Sequence, residues 1–321
     1  MKKFITYKQW LKLFEGGNVF EGTGPIQKKN IEPTLEQFQK RISTIFPKVN
    51  FEFQLLGSAG KKEVSGDIDV ALSEETIFDK NGNIKYDDWD ISSEEFEKLY
   101  LQIRKRARTA SEKQSKFRTL IKLVASKLVY DKEIAADTKN SGAGTLFCSY
   151  PQYTPEGEQL NKRVQIDINI GNLNWLKFSY HSEAYKGNVK GLHRTQLLVS
   201  LFKNKNKTFR HGTGVFNLET KEYEASSPEE AIDLLNEIYD FKTNKLNRDI
   251  IKNYFKLQDF LNKNLNEEEL HKIYDIYLKI LDSTRTDVPE DLQNYWIEHQ
   301  DRLNLTGRFL PENSNLYKYK K

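Results

Sequence analysis

The chain of 321 residues reads as an α/β protein, in the broad sense that includes α+β: a mixed sheet with helical additions on both sides. Three observations predict this class. Residues 49–55, 67–72 and 162–171 alternate apolar and polar side chains with a period of two, the pattern of half-buried strands. Residues 34–45, 92–129 and 246–280 place apolar side chains at three- and four-residue spacing, the pattern of amphipathic helices. A Pro/Gly-bearing polar stretch, Thr154 to Asn161, separates two strand-like runs and predicts a hairpin.

Composition bounds the function. Fifty basic against forty-six acidic side chains leave a net charge of only +4, so a nucleic-acid site must come from local clustering, not from a generally basic surface. The single cysteine, Cys148, excludes an intrachain disulfide, and there is no Cys/His array for zinc. It reads as a small core residue of a protein at home in a reducing cytoplasm. No apolar run approaches the ~20 residues that span a bilayer. Met1-Lys2-Lys3 leads into an apolar stretch too short for a signal peptide, broken by Lys8. The expectation is a cytoplasmic protein with no membrane partner.

In order, residues 1–48 form an N-terminal helical segment. Gly16 to Pro25 lacks the spacing of a phosphate loop and reads as a connector. Pro33-Thr34 is expected to open a helix, with Thr34 and Gln37 as a capping box and Leu35, Phe38, Ile42 and Ile45 as its apolar stripe. A strand follows with Val49, Phe51, Phe53 and Leu55 on one face, ending at Gly57-Ser58. The next strand turns Ile68, Val70 and Leu72 inward, which puts Asp67 and Asp69 together on the other face. Two adjacent carboxylates repel, and a fold keeps such a pair where a cation sits between them; hard divalent ions prefer oxygen. A helical insertion runs from about 92 to 130, capped by Ser92 and Glu95. Its basic middle, with Arg104, Lys105, Arg106 and Arg108, is either a phosphate-contacting face or a solvated one. The hairpin then pairs TLFCSYPQY with KRVQIDINIG, where Ile166, Ile168 and Ile170 alternate with Asp167 and Asn169.

Residues 172–240 hold a helix expected to be capped by Ser182, carrying Lys186, Lys190 and Arg194 at four-residue intervals on one face. A hairpin at 208–225 and a helix opened by Ser227-Pro228-Glu229-Glu230 follow. Residues 241–321 are helical, with a polar, basic end.

The Gly57-Ser58 turn, the Asp67-x-Asp69 strand and Asp167 on a neighbouring hairpin resemble the DNA polymerase beta-like nucleotidyltransferase superfamily. GKKEVSGDIDVAL is most similar to family X DNA polymerases, in which Gly-Lys-Lys/Glu and Ser-Gly-Asp-x-Asp recur in this order. The likeness covers a nucleotidyltransferase palm at 49–171 and, loosely, a nucleotide-binding or thumb-like region at 172–240. It departs from the family in having no arginine after Ser58, where Lys61 and Lys62 stand nearby, and no helix-hairpin-helix pattern before residue 49.

The resemblance implies transfer of a nucleoside monophosphate from an NTP or dNTP to an acceptor hydroxyl, most naturally a nucleic-acid 3′ end, with release of pyrophosphate. It implies two Mg2+ (or Mn2+) ions held by Asp67, Asp69 and Asp167, with Asp167 helping to remove the acceptor proton. Gly57, Ser58, Lys61, Lys62, Lys186, Lys190, Arg194 and Tyr180 would contact the nucleotide. The same chemistry on a protein or small-molecule acceptor stays open, as does a non-catalytic nucleic-acid-binding or assembly role.

Overall fold

A computed structural model describes residues 19–106, 112–142, 144–183, 189–284, 286–303 and 305. The chain divides into two units, Met1–Leu176 and Lys177–Lys321. Within the first, the described residues from 26 to 170 contribute to one core with the sheet, while residues 1–18 of the expected N-terminal helical segment lie outside the described residues.

Strand β1 (Ile26–Gln27) runs directly into helix α1 (Lys28–Ile45). The helix thus begins before the expected Pro33-Thr34 start. Its entry is fixed by the strand, and the N–H of Lys28 donates to Glu63 O at 2.9 Å. Pro33 lies inside, at the cost of one helical hydrogen bond. Thr34 is no cap: it is buried, and its hydroxyl accepts the N–H of Tyr153 at 2.9 Å. Ile31, Phe38 and Ile42 form the buried face, and α1 packs on the sheet.

Strands β2 (Gln54–Leu55), β3 (Val64–Ser65) and β4 (Ile68–Ser73) follow. The expected strand 49–55 shortens to two residues. Val49 and Phe51 are buried as expected, but Leu55 is exposed and Leu56 is buried, so the alternation breaks where the chain turns into Gly57. The helical insertion is two packed helices, α2 (Ser93–Arg106) and α3 (Glu112–Leu128). Then come β5 (Ala135–Ala136), β6 (Thr145–Tyr153) and β7 (Gln159–Gly171).

The five-stranded sheet has the order β2-β4-β7-β6-β5. The β4–β7 pair is parallel and the other pairs are antiparallel, so the sheet is mixed. Ile68, Val70 and Leu72 of β4 and Ile166, Ile168 and Ile170 of β7 are all buried, in one core with Phe38, Phe46, Leu120, Val124 and Cys148. The polar sides of β4 and β7 carry the carboxylates. A separate two-stranded sheet pairs β1 with β3. The described part of the Gly-rich connector is tied down: Gly24 N–H donates to Arg163 O at 2.9 Å, and Val19 N–H to Gln165 Oε1 at 2.8 Å.

After β7 come α4 (Leu173–Ser179) and α5 (Gly191–Asn204). Ser182 does not cap α5, which starts after Lys190. The expected hairpin is a three-stranded antiparallel sheet of β8 (Lys207–Arg210), β9 (Gly214–Asn217) and β10 (Tyr223–Ala225). Gly214, at φ +130°, sits where a Cβ would lie 2.1 Å from Ala225 O, so only glycine fits. Helix α6 (Pro228–Ile238) starts as its sequence predicts: the N–H of Glu230 donates to Ser227 Oγ at 3.2 Å, and the N–H of Ser227 to Glu230 Oε2 at 3.1 Å. Helices α7 (Arg248–Lys252), α8 (Tyr254–Asn264), α9 (Glu267–Thr284) and α10 (Gln293–His299) complete the unit, with α9 packed on α5. Among the described residues no helix is long and apolar enough to cross a membrane.

Candidate active site

The parallel pairing of β4 with β7 sets Asp69 directly abreast of Asp167. Neighbouring strands lie about 4.8 Å apart, and paired residues point to the same side of the sheet. Asp67, two residues before Asp69, joins them on that side. The apolar residues between them in sequence are the reason: with Ile68, Val70, Ile166 and Ile168 committed to the core, the carboxylates can only face away from it.

The three groups strain against one another. Burial pushes Asp67 up to about 6. Burial, and then the charges of Asp67 and Asp167, push Asp69 well above the usual carboxylate range. Asp167 rises to about 7 through burial and the charge of Asp67, while a hydrogen bond from Gln165 pulls in the other direction. The charges acting on the three are thus one another's, and an added cation would relieve the whole set.

Gly57 brings the backbone against this cluster. It has φ +59°, and a Cβ there would lie 3.1 Å from Asp69 Oδ2. The N–H of Leu56 donates to Asp69 O at 2.9 Å, which locks the turn onto β4. Ser58 opens a turn closed by the N–H of Lys61 on its carbonyl at 3.0 Å. Lys61 and Lys62 are exposed on the following loop, which β1 anchors through its pairing with β3.

Two residues beside the carboxylates were not singled out from the sequence. Gln165 Nε2 donates to Asp167 Oδ1 at 2.8 Å, and Asn169 Nδ2 donates to Asp167 O at 3.3 Å. Both amides are 2% exposed. The available signal was parity, since 165, 167 and 169 fall on one side of a strand.

A hard, all-oxygen donor set of three carboxylates suits Mg2+ or Mn2+. Among the described residues, however, no three His, Cys, Asp or Glu side chains are already gathered as a metal-holding group. The carboxylates share a strand face, abreast and mutually repelling, without closing around a point. Their shared side, raised affinity for protons and glycine-lined flank fit an ion whose remaining ligands come from a substrate.

The other expected contacts divide. Arg194 is a correction: it is fully buried in the second unit, with Nε donating to Ile251 O at 2.9 Å and Nη1 to Phe178 O at 2.8 Å. Its guanidinium also lies 5.0 Å over the Phe178 ring, so it ties the helix to its neighbours and is not on a solvent-facing stripe. Lys190 is exposed but precedes α5, so it shares no helical stripe with Arg194. Tyr180 is half-buried, its ring 5.5 Å from that of His211. Arg104, Lys105 and Arg106 form the last turn of α2, where positive charge offsets the helix dipole. Lys186 and Arg108 lie outside the described residues.

A scan against protein-family models gives no match for this chain, and a search of curated proteins gives none either.

Proposed function

We propose that this chain is a metal-dependent nucleotidyltransferase of the DNA polymerase beta-like superfamily, with a palm nearest to the family X polymerases. It would transfer a nucleoside monophosphate from an NTP or dNTP to the 3′ hydroxyl of a nucleic acid, in the cytoplasm. The observation that carries the reading is the parallel β4–β7 register, which puts Asp69 beside Asp167 with Gly57 against Asp69. An all-carboxylate cluster of this kind is costly to a fold without a positive ligand.

In this reading Asp67, Asp69 and Asp167 would hold two Mg2+ or Mn2+ ions. Metal bound there would supply charge neutralisation at the transferred phosphoryl group and a more acidic acceptor hydroxyl. The acceptor oxygen forms a bond to the α-phosphorus as the bond from that phosphorus to the β-phosphate bridging oxygen breaks, and pyrophosphate leaves. Asp167 takes the acceptor proton. Ser58 donates its hydroxyl to a phosphate oxygen, the open backbone at Gly57 leaves room for that phosphate, and Lys61 and Lys62 supply positive charge on the same loop.

The test incubates the purified chain with Mg2+ or Mn2+, each labelled NTP and dNTP, and a mixture of single-stranded RNA, tRNA, primed DNA and protein extract. Label on nucleic acid that disappears with Asp67→Ala supports the reading, and the preferred triphosphate identifies the sugar. Label on a protein or small molecule keeps the chemistry and replaces the acceptor. Nucleic-acid binding unchanged in Asp67→Ala, with no transfer anywhere, overturns it in favour of a non-catalytic component.

A further inference from the structure

The polar side of β7 carries a neutral amide on either side of Asp167, and each is held from behind. Gln165 Oε1 accepts the N–H of Val19 at 2.8 Å, and its Nε2 donates to Asp167 Oδ1 at 2.8 Å. Asn169 Oδ1 accepts the hydroxyl of Thr145 at 2.9 Å, and its Nδ2 donates to Asp167 O at 3.3 Å. The donor at the back fixes the orientation of each amide. A flipped Gln165 would aim NH2 at a backbone N–H and its oxygen at a carboxylate, losing two hydrogen bonds and adding two repulsions. Both side chains are buried at 2% exposure, so water offers no substitute partner.

The geometry points to Gln165 and Asn169 as paired positioning residues for Asp167: one amide aims its carboxylate and the other braces its backbone carbonyl, so that the carboxylate is held in one orientation toward a cation. The inference rests on the metal-dependent reading above and extends it to residues that touch neither substrate nor ion. The chemistry of the choice matters. An amide orients a carboxylate through a hydrogen bond without neutralising it, so the full negative charge stays available to an incoming cation. A lysine or arginine in place of Gln165 would hold the carboxylate equally well and compete with the ion. The back-side anchors come from distant parts of the chain, Val19 before β1 and Thr145 at the start of β6, so the aim of Asp167 depends on the assembled unit.

The test is an Mn2+ titration followed by electron paramagnetic resonance on the full chain, with thermal unfolding of each variant alongside. Wild type and Asp69→Asn first establish whether the site binds the ion. Gln165→Met and Asn169→Leu keep the volume and remove the hydrogen bonds. Thr145→Val keeps the strand and removes only the anchor behind Asn169. Loss of an outer partner of this kind weakens metal binding by about 10–100-fold. The expected result is a drop of at least about tenfold for Gln165→Met, smaller drops for Asn169→Leu and Thr145→Val, and unchanged KM for the triphosphate at saturating Mn2+. If either amide variant fails to fold, Thr145→Val decides the matter. Wild-type affinity in the folded variants overturns the positioning roles and leaves the metal-dependent reading standing. No Mn2+ binding by wild type, or equal binding by Asp69→Asn, overturns both.

Discussion

At the scale of single residues, the position that ties backbone to carboxylate is Gly57. Its positive φ and the 3.1 Å approach of a would-be Cβ to Asp69 Oδ2 act together, one on the backbone and one on the carboxylate. Gly57→Ala is expected to cost about 1–2 kcal/mol in backbone strain. It should also displace Asp69, lowering turnover by about 100-fold while most of the fold survives. Comparing thermal unfolding with nucleotidyl transfer in the same preparation checks this, and full activity would show that the close approach has no role. The glycine was legible as part of a Gly-Ser turn, and so were Asp67, Asp69 and Asp167, because strict alternation with isoleucine and valine leaves an aspartate only one side to face. Gln165 and Asn169 were not legible as partners. What each amide meets depends on side-chain rotamers and on donors as remote as Val19, and neither leaves a local pattern.

At the scale of elements, the helix starts show where local sequence rules hold. Ser227, Pro228 and Glu230 define the start of α6 because a cap is a contact within four residues. Thr34 has the same local chemistry, yet its hydroxyl serves β6, and pairing of the preceding strand extends α1 past Pro33. Arg194 failed for a related reason: a cationic stripe presumes a helix through Lys186 and Lys190, whereas α5 begins only at Gly191. That start is secured by His193 instead. Its Nδ1 accepts the N–H of Lys190 at 2.7 Å, and Nε2–H donates to Asp287 O at 2.7 Å, so the ring must be neutral to make both. Burial accordingly lowers its pKa to about 4. Between about pH 4 and 6.5 the unfolded chain binds a proton that the native ring does not, so this contribution is complete above pH 6.5 and is lost as the pH falls. Urea unfolding from pH 7 to pH 4.5 should show a steeper loss for wild type than for His193→Gln, by up to about 1.4 kcal/mol per pH unit. Parallel pH profiles for the two proteins would refute the assignment.

For the whole molecule, the carboxylate cluster makes stability depend on what is bound. The sign follows from the raised pKa values. Asp67 and Asp167 in the native state retain protons up to about pH 6 and 7, after the unfolded chain has released its own. The metal-free fold therefore loses stability as the pH climbs through that range. At pH 8 without divalent ions, Asp69→Asn should be more stable than wild type by about 1–3 kcal/mol, since it removes a buried charge from a repelling set. Saturating Mn2+ should reverse the order, because an ion that binds only the native state adds about 2.7 kcal/mol at a hundred times its Kd. Four thermal melts, two proteins with and without Mn2+, suffice, and the same order in both conditions would count against a shared cation site.

The parallel pairing of β4 with β7 also governs when the site comes into being. Asp69 and Asp167 are far apart along the chain, with α2, α3 and β6 between them, and a contact of such long sequence separation is entropically expensive to form early. The cluster's mutual repulsion adds to that delay, so the strand pair that defines the site should close late in folding. An ion binding there would then leave the rate of refolding nearly unchanged and slow unfolding, making the loaded protein persistent in time as well as more stable.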